Sequence, residues 1–197
     1  MANKPDGKDP DPKKRPTLSW LDYVRKTDNE LLKICRVDTF RGSGRGGQKR
    51  NKTTNAVRLT LFKIAVTESA SRSKAQNVTS ALNKLRLAIA LKTAPEFRRG
   101  EDAGIFPEEI QPYLFRDIIR IRPQNPVFPI FIGCLLDHFI IHEGAWKLVA
   151  AQFGVSSSQL RRFVEKHPHI GMALKSTRKR QAEDITGVQE LNGEEAP

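Results

Sequence analysis

Cysteine and long apolar runs are both scarce in this chain of 197 residues. The two cysteines, Cys35 and Cys134, have no paired spacing, which argues against a disulfide framework and favours a reducing compartment. The longest apolar run, residues 127–141, is too short to span a bilayer and contains Asp137 and His138, so it predicts a buried helix. The N-terminus also lacks the apolar core of a signal peptide. We therefore expect a cytoplasmic protein rather than an integral membrane protein.

Acidic residues are outnumbered by basic ones. The chain has 34 Lys and Arg against 22 Asp and Glu, which gives a net charge of +12. This balance favours a polyanionic partner, and composition alone leaves open whether that is nucleic acid or an anionic membrane surface. The length has room for two small domains with polar ends left over.

The first domain is expected over residues 17–93, after a disordered leader over 1–16 that is rich in Pro, Asp and Lys. One short helical segment begins near Trp20, and strands follow over 34–40, 56–62 and 64–67. Apolar residues at helical spacing predict a helix over 74–92 that covers this small sheet, with Lys84, Arg86 and Lys92 opposite or flanking. The pattern is that of an α+β domain. Between the last two strands the sequence offers neither Gly, Asn nor Asp for a tight turn, so it predicts no turn type.

The second half of the chain is expected to be helical. Prolines, glycines and acidic residues predict a linker with short helical pieces over 94–126. A small all-α domain of helix-turn-helix type follows over 127–174, with helices over 130–141, 145–153 and 157–166. A tail over 175–197 is first basic and then acidic.

The helix-turn-helix pattern consists of a small residue in the first helix, a Gly154-Val155 turn and apolar residues at matched spacing. Ser156 and Gln159 predict a capping box for the second helix. Arg161 and Arg162 would lie on that helix and face nucleic-acid phosphate, together with Lys166. The alternative is a helical pair that only packs.

Two further patterns do not predict a functional site. Cys134, His138 and His142 follow one another at four-residue spacing, but the helix around them is so apolar that core or boundary positions are expected, and no fourth ligand is evident. We expect no metal and no cofactor. Aromatic residues are too sparse near the basic segments to predict a base-stacking platform, and Trp20, Trp146 and Phe128 are assigned to the core.

A glycine-rich basic loop interrupts the first domain. Its glycines allow the backbone to approach another molecule closely, and its cations suit RNA phosphate. No acid, histidine or paired nucleophile lies where a general base would be needed. Catalysis here would have to use positioning and electrostatic stabilisation by backbone amides and the Gln48 amide. The cations in and beside the loop are Arg41, Arg45, Lys49, Arg50 and Lys52.

An ordered string of motifs surrounds the loop. Its first part is Val37-Asp38-Thr39-Phe40-Arg41, Gly46-Gly47-Gln48, Asn51-Lys52-Thr53 and Ala56-Val57-Arg58-Leu59. Its second part is Glu68, Arg72-Ser73, Asn77 and Ala81-Leu82. Over residues 33–92 this string resembles the peptidyl-tRNA hydrolysis domain of class I peptide chain release factors, and it is far more specific than a lone Gly-Gly-Gln.

The resemblance implies a ribosome-dependent peptidyl-tRNA hydrolase with Gly46, Gly47 and Gln48 as its catalytic residues. The partners it implies are the rRNA of the large ribosomal subunit, P-site peptidyl-tRNA and a glutamine methyltransferase that modifies Gln48. We expect no membrane partner and a monomeric protein. The loop cations would contact rRNA. Arg58 would do so too or hold the base of the loop with Asn51 and Thr53.

Three departures from the family bear on function. Only 40 residues precede Arg41, where stop-codon-reading factors have a large decoding portion, so we expect codon-independent release from stalled ribosomes. The turn after the Ala-Val-Arg strand is shortened. Rescue factors of this family usually end in a basic tail, whereas residues 182–197 are acidic. The alternative is a nucleic-acid-binding factor that acts through the helix-turn-helix and has a non-catalytic loop.

Overall fold

The structure is a computed structural model that describes residues 18–41, 54–92, 104 and 106–177. The chain divides into two compact units, Met1–Ala90 and Leu91–Pro197. Helices and small antiparallel sheets together confirm the predicted α+β class. The predicted leader and most of the predicted tail lie outside the described residues.

The first unit opens with two short helices, α1 (Trp20–Arg25) and α2 (Asp28–Ile34). Each begins with a capping box, formed by Ser19 with Asp22 and by Thr27 with Glu30. The prediction of one helical segment was therefore wrong. Thr27 has extended backbone angles and caps a new helix, because its hydroxyl and the Glu30 carboxylate satisfy N–H groups that a helix start leaves open.

A three-stranded antiparallel sheet follows, in the order β1 (Arg36–Phe40), β2 (Ala56–Leu61) and β3 (Ile64–Glu68). Val57, Leu59 and Leu61 lie at alternate positions and are no more than 1% exposed. They form the buried face that the alternation predicted, since successive strand side chains point to opposite faces. The pairing of Phe40 with Ala56 ends the β1–β2 ladder.

The turn between β2 and β3 consists of Phe62 and Lys63 alone, because Leu61 pairs directly with Ile64. Phe62 takes the left-handed backbone conformation, with φ of +52°. A bulky residue is uncommon there. Its ring packs edge-to-face on the ring of Tyr23, with centroids 5.6 Å apart, so a tertiary contact supports the turn.

Helix α3 (Lys74–Ala90) packs on β2 and β3 through buried side chains that include Leu82, Leu85 and Ile89. This confirms the predicted helix that covers the sheet. Arg86, which was predicted on its polar flank, turns inward to the junction of α1 and α2. Its guanidinium donates to the carbonyl oxygens of Val24 (3.2 Å) and Lys26 (2.8 Å) and pairs with the Asp28 carboxylate (2.8 Å).

The second unit begins with a 3₁₀ helix (Glu108–Tyr113) and a hairpin of two short strands, β4 (Leu114–Phe115) and β5 (Ile118–Ile119). The linker prediction is corrected for residues 106–126. Ile110 and Ile121 are 0% and 7% exposed, so this segment contributes to a hydrophobic core. The two turn residues between β4 and β5 both have positive φ.

The helices of the second unit are α4 (Phe128–Ile141), α5 (Trp146–Gln152), α6 (Ser157–Glu165) and a further helix over 168–177. Nearly all side chains of α4 are buried. Helix α4 is nevertheless too short for a bilayer, and none of the helices in the described ranges has the length and hydropathy to cross one.

Helices α5 and α6 pack against each other across a short turn, as the helix-turn-helix pattern predicted. Gly154 supplies the positive φ (+60°) that this turn requires. The capping box is corrected in one half. The Ser156 hydroxyl accepts from the Gln159 N–H (3.3 Å), but the Ser156 N–H donates to the carboxylate of Asp117 on the hairpin. The hairpin therefore completes the cap of α6.

Candidate functional site

The glycine-rich loop joins β1 to β2, and the register of the two strands fixes where it leaves the sheet. Phe40 and Ala56 are the last paired residues. Arg41, exposed, follows directly after Phe40. Residues 42–53 lie outside the described residues. They include Gly46, Gly47 and Gln48, the cations Arg45, Lys49, Arg50 and Lys52, and Asn51 and Thr53 at the predicted base of the loop.

Asn77 anchors the end of the loop at β2. It lies in the first turn of α3 and is 1% exposed. Its Nδ2 donates to the carbonyl oxygens of Asn55 (2.7 Å) and Ser71 (2.9 Å), and its Oδ1 accepts from the Ser71 N–H (2.9 Å). Because this buried amide makes all three hydrogen bonds, it holds the backbone at Asn55 and at Ser71 in place.

Asn55 provides a second connection between the same two segments. Its Nδ2 donates to the carbonyl oxygen of Arg72 at 2.6 Å. The residue just before β2 is thus joined to the segment before α3 both through its backbone and through its side chain. This connection explains Asn77 in the second block of resemblance, since only its side chain makes these bonds, whereas Arg72 contributes a backbone carbonyl and the role of Asn55 was not predicted.

Glu68, the last residue of β3, is bound on both carboxylate oxygens. Oε1 accepts from the N–H groups of Ser69 (2.9 Å) and Ala70 (3.0 Å), and Oε2 pairs with Lys84 Nζ (2.9 Å). The Lys84 hydrogen bond and then the backbone N–H groups hold the pKa of Glu68 below its usual range. This carboxylate is ionised at neutral pH and joins the end of β3 to α3.

Arg58 lies against the ring of Phe40, with Cζ 5.5 Å from the ring centroid. This cation–π contact crosses from β2 to the last residue of β1. Of the two roles considered for Arg58, the contact favours holding the base of the loop. Its guanidinium is exposed and also available to phosphate.

The predicted arginines of the second unit differ in their surroundings. Arg161 lies over the ring of Trp146, with Cζ 4.8 Å from the centroid, so it joins α6 to α5. Trp146 itself is half-buried, so it is a boundary residue and not the core residue that the sequence predicted. Arg162 is exposed on α6. The predicted phosphate contact suits Arg162 better than Arg161.

Cys134 and His138 are buried in α4, as expected for core residues, and His142 is half-buried. Burial, and then the nearby His142, lower the pKa of His138, so its ring is neutral near pH 7. The part of the chain that the structure describes contains no group of three or more His, Cys, Asp or Glu side chains able to hold a metal.

The hairpin holds a group of residues that the sequence did not predict. Arg116 and Arg120 place their guanidinium carbons 5.0 and 5.8 Å from the ring centroid of Phe115, which is 51% exposed. Aromatic residues were too sparse near the basic segments to predict a base-stacking platform, and this hairpin nevertheless places one exposed ring beside two arginines. The sequence predicted a linker for this segment. Only the tertiary fold shows that the segment forms a hairpin with an exposed ring.

The first unit is an α+β domain in which the glycine-rich loop joins two paired strands. Residues 29–108 match the RF-1 domain family. The chain is 49% identical over 128 residues to peptide chain release factor 2 of Lactiplantibacillus plantarum, covering 57% of this chain and 34% of that protein. It is 44% identical over 120 residues to that of Chlamydia muridarum (53% and 32%) and 32% identical over 115 residues to that of Kineococcus radiotolerans (54% and 30%).

Over residues 29–108 the chain matches the RF-1 domain, and over about half of its length it is similar to class I peptide chain release factors. It spans about a third of the length of these curated relatives. No solved structure gave a significant match to the chain.

Proposed function

We propose that this protein promotes codon-independent hydrolysis of the peptidyl-tRNA ester on the ribosome and so releases nascent peptide from stalled ribosomes. The observation that carries the proposal is the place of Gly46-Gly47-Gln48. The tripeptide lies within the RF-1 domain match, in the segment between β1 and β2 whose ends the register and Asn77 hold.

The chemistry proposed for the loop needs no acid–base side chain. Water attacks the ester carbonyl, the bond to the tRNA 3′-oxygen breaks, and a proton of the water passes to that oxygen. The backbone N–H of Gln48 stabilises the developing negative charge, and its side-chain amide shapes the space open to water. Gly46 and Gly47 permit the backbone geometry that directs the N–H.

Loop cations position the tripeptide in this proposal. Arg41, Arg45, Lys49, Arg50 and Lys52 contact rRNA phosphates of the large subunit. A net charge of +12 suits such a partner. Arg58 holds the loop base through Phe40. Gln48 is a substrate for a glutamine methyltransferase, and the protein acts in the cytoplasm as a monomer.

The second unit contacts RNA through the exposed side of α6, where Arg162 and Arg161 neutralise phosphate. A ribosome-bound structure tests this: it should place the guanidinium of Arg162 next to rRNA or tRNA. Finding α6 exposed to solvent in that complex would refute the contact.

Peptide release from ribosomes without a codon in the decoding site tests the main proposal. Native protein should release peptide, and Gln48→Ala should lose release while it retains ribosome binding. Gln124→Ala, which changes an exposed glutamine in a turn of the second unit, is the matched control and should release peptide like the native protein.

Two outcomes would contradict the proposal. Release by native protein only when a stop codon is present would refute codon independence. Ribosome binding without release on any ribosome would instead favour the alternative, a nucleic-acid-binding factor that acts through the helix-turn-helix and has a non-catalytic loop.

A further inference from the structure

The hairpin of the second unit has an apolar outer face. Leu114 pairs with Ile119, and this pair is half-buried, whereas the next pair, Phe115 with Ile118, is 51% and 40% exposed. Alternation along a strand places the two pairs on opposite faces. An exposed aromatic and an exposed isoleucine directly opposite each other form a small surface that the fold itself does not use.

Two guanidinium groups flank this surface. Those of Arg116 and Arg120 lie 5.0 and 5.8 Å from the ring centroid of Phe115, and both side chains are exposed. The Arg120 N–H donates to the carbonyl oxygen of Tyr113 at 2.7 Å, which extends the hairpin by one backbone pairing. The two positive charges are therefore held beside the ring.

The hairpin tip is positioned by its turn. Arg116 and Asp117 have φ of +45° and +63°, and positive φ at both central residues is what the commonest two-residue hairpin turn requires. Asp117, the one acidic side chain of residues 114–120, accepts from the Ser156 N–H at the start of α6. Its bond fixes the tip against the helix-turn-helix and engages its carboxylate.

A cleft of about 470 Å³ adjoins the same residues. Phe115 and Arg116 lie at its wall, together with Gln111 and Gln152. Its volume is that of a small-molecule site, and amide side chains both donate and accept hydrogen bonds, as the edges of nucleobases do.

We propose that Phe115, Arg116 and Arg120, here called the hairpin platform, bind single-stranded RNA, with one base stacked on Phe115 and neighbouring phosphates held by the two arginines. Every base has a flat apolar face beside a charged backbone, which is the combination this surface complements. A protein interface or an inserted membrane anchor needs a larger apolar area than two exposed side chains provide. The proposal does not depend on peptide release by the loop.

Full-length protein and a fluorescein-labelled ten-nucleotide oligouridine test it by fluorescence anisotropy. The titrations use a chain that carries Arg45→Gln, Lys49→Gln and Arg50→Gln, which removes three of the five RNA contacts proposed for the loop. Phe115→Ala should weaken binding about tenfold, since removing one base-stacking ring has an effect of this size. Leu148→Ala, which removes an apolar side chain of similar exposure (53%), should leave the affinity unchanged.

Two further variants separate stacking from general apolar contact. Phe115→Trp should bind RNA like the native residue and lose indole fluorescence on binding, whereas Phe115→Leu should bind as weakly as Phe115→Ala. Because Phe115 is half exposed, these variants should unfold at the native midpoint, which is measured for each.

Polyphosphate, which carries the charge of RNA without bases, is the probe for electrostatics. Arg116→Gln and Arg120→Gln should weaken binding to both probes, and Phe115→Ala only to RNA. Three results would each overturn the proposal. The first is that Phe115→Ala weakens binding to polyphosphate as much as binding to RNA, and the second is that Phe115→Leu binds RNA with native affinity. The third is binding to anionic phospholipid vesicles that depends on Phe115, with no binding to RNA.

Discussion

The side-chain amide of Asn77 donates to the backbone carbonyl of Asn55, 22 positions earlier in the chain, at 2.7 Å. This bond joins the first turn of α3 to the residue at which the glycine-rich loop returns to the sheet. Together with the bond from Asn55 to Arg72, it means that the loop is anchored by the helix as well as by the strands.

Asn77→Ala should lower the free energy of unfolding by about 2–3 kcal/mol, because backbone groups of Asn55 and Ser71 lose buried partners. Peptide release should fall further than stability alone explains. Urea denaturation and release assays measure the two effects. Asn83→Ala, an exposed position on the same helix, should change neither. Native release by Asn77→Ala would show that the anchor has no role in positioning the loop.

Arg58→Lys should slow peptide release about two- to fivefold, while ribosome affinity stays near native. Lysine keeps the charge but loses the planar contact with Phe40, and an exposed cation–π contact has an energy of this order. Release kinetics at saturating protein test this. Loss of affinity with an unchanged maximal rate would instead assign Arg58 to phosphate binding.

Arg86→Met should destabilise the first unit by about 2–3 kcal/mol, since the carbonyls of Val24 and Lys26 lose their donor. Asp28→Asn removes only the ion pair. Because Asp28 is 53% exposed, that change should cost less than about 1 kcal/mol. Similar losses in the two variants would show that the ion pair, and not the bonds to the carbonyls, is the main contribution.

Glu68 should make the stability of the first unit depend on acid pH. Its pKa is lower in the folded than in the unfolded chain, so its contribution is complete above the unfolded value of about 4.3 and is lost as the pH falls through the folded pKa. Chemical denaturation between pH 3 and pH 7 measures this. Glu68→Gln should flatten the profile below about pH 4.5, and Glu30→Gln is a comparison at an exposed carboxylate whose pKa is also lowered, chiefly by Thr27. An unchanged slope in Glu68→Gln would contradict the assignment.

Arg161→Gln and Arg162→Gln should have separate effects. Arg161 lies on Trp146, so its loss should destabilise the second unit by about 0.5–1 kcal/mol. Arg162→Gln should leave stability within about 0.5 kcal/mol and reduce ribosome affinity. Thermal unfolding and ribosome co-sedimentation distinguish the two. Equal effects of both changes on affinity would show that Arg161 is as strong a phosphate contact as Arg162.

The elements with a clear apolar period were predictable from sequence. The alternation in β2 and the helical spacing in α3 give the buried faces directly, because each face repeats with the geometry of its backbone. The motifs around Gly46-Gly47-Gln48 likewise predict the family, which the RF-1 match confirms. The roles of the individual loop residues stay predictions.

Most features that the sequence patterns missed depend on contacts between distant residues. The start of α2 is the exception, since Thr27 followed by Glu30 is a local capping-box signal. The turn at Phe62 had none, since it is supported by Tyr23, and neither did the half of the α6 cap that Asp117 supplies, because Asp117 is 39 positions from Ser156. The hairpin around Phe115 was missed because its strands are too short to show a period and its turn lacks glycine.

The surroundings of the two cysteines have a practical consequence for such experiments. Cys35 is half-buried, with desolvation raising its pKa to about 12, and Cys134 is fully buried. Little of Cys35 is therefore the reactive thiolate at neutral pH, so maleimide reagents should modify it slowly. A cysteine introduced at an exposed position such as Ser176 can then be labelled selectively in the otherwise native chain, without first replacing residues of the core.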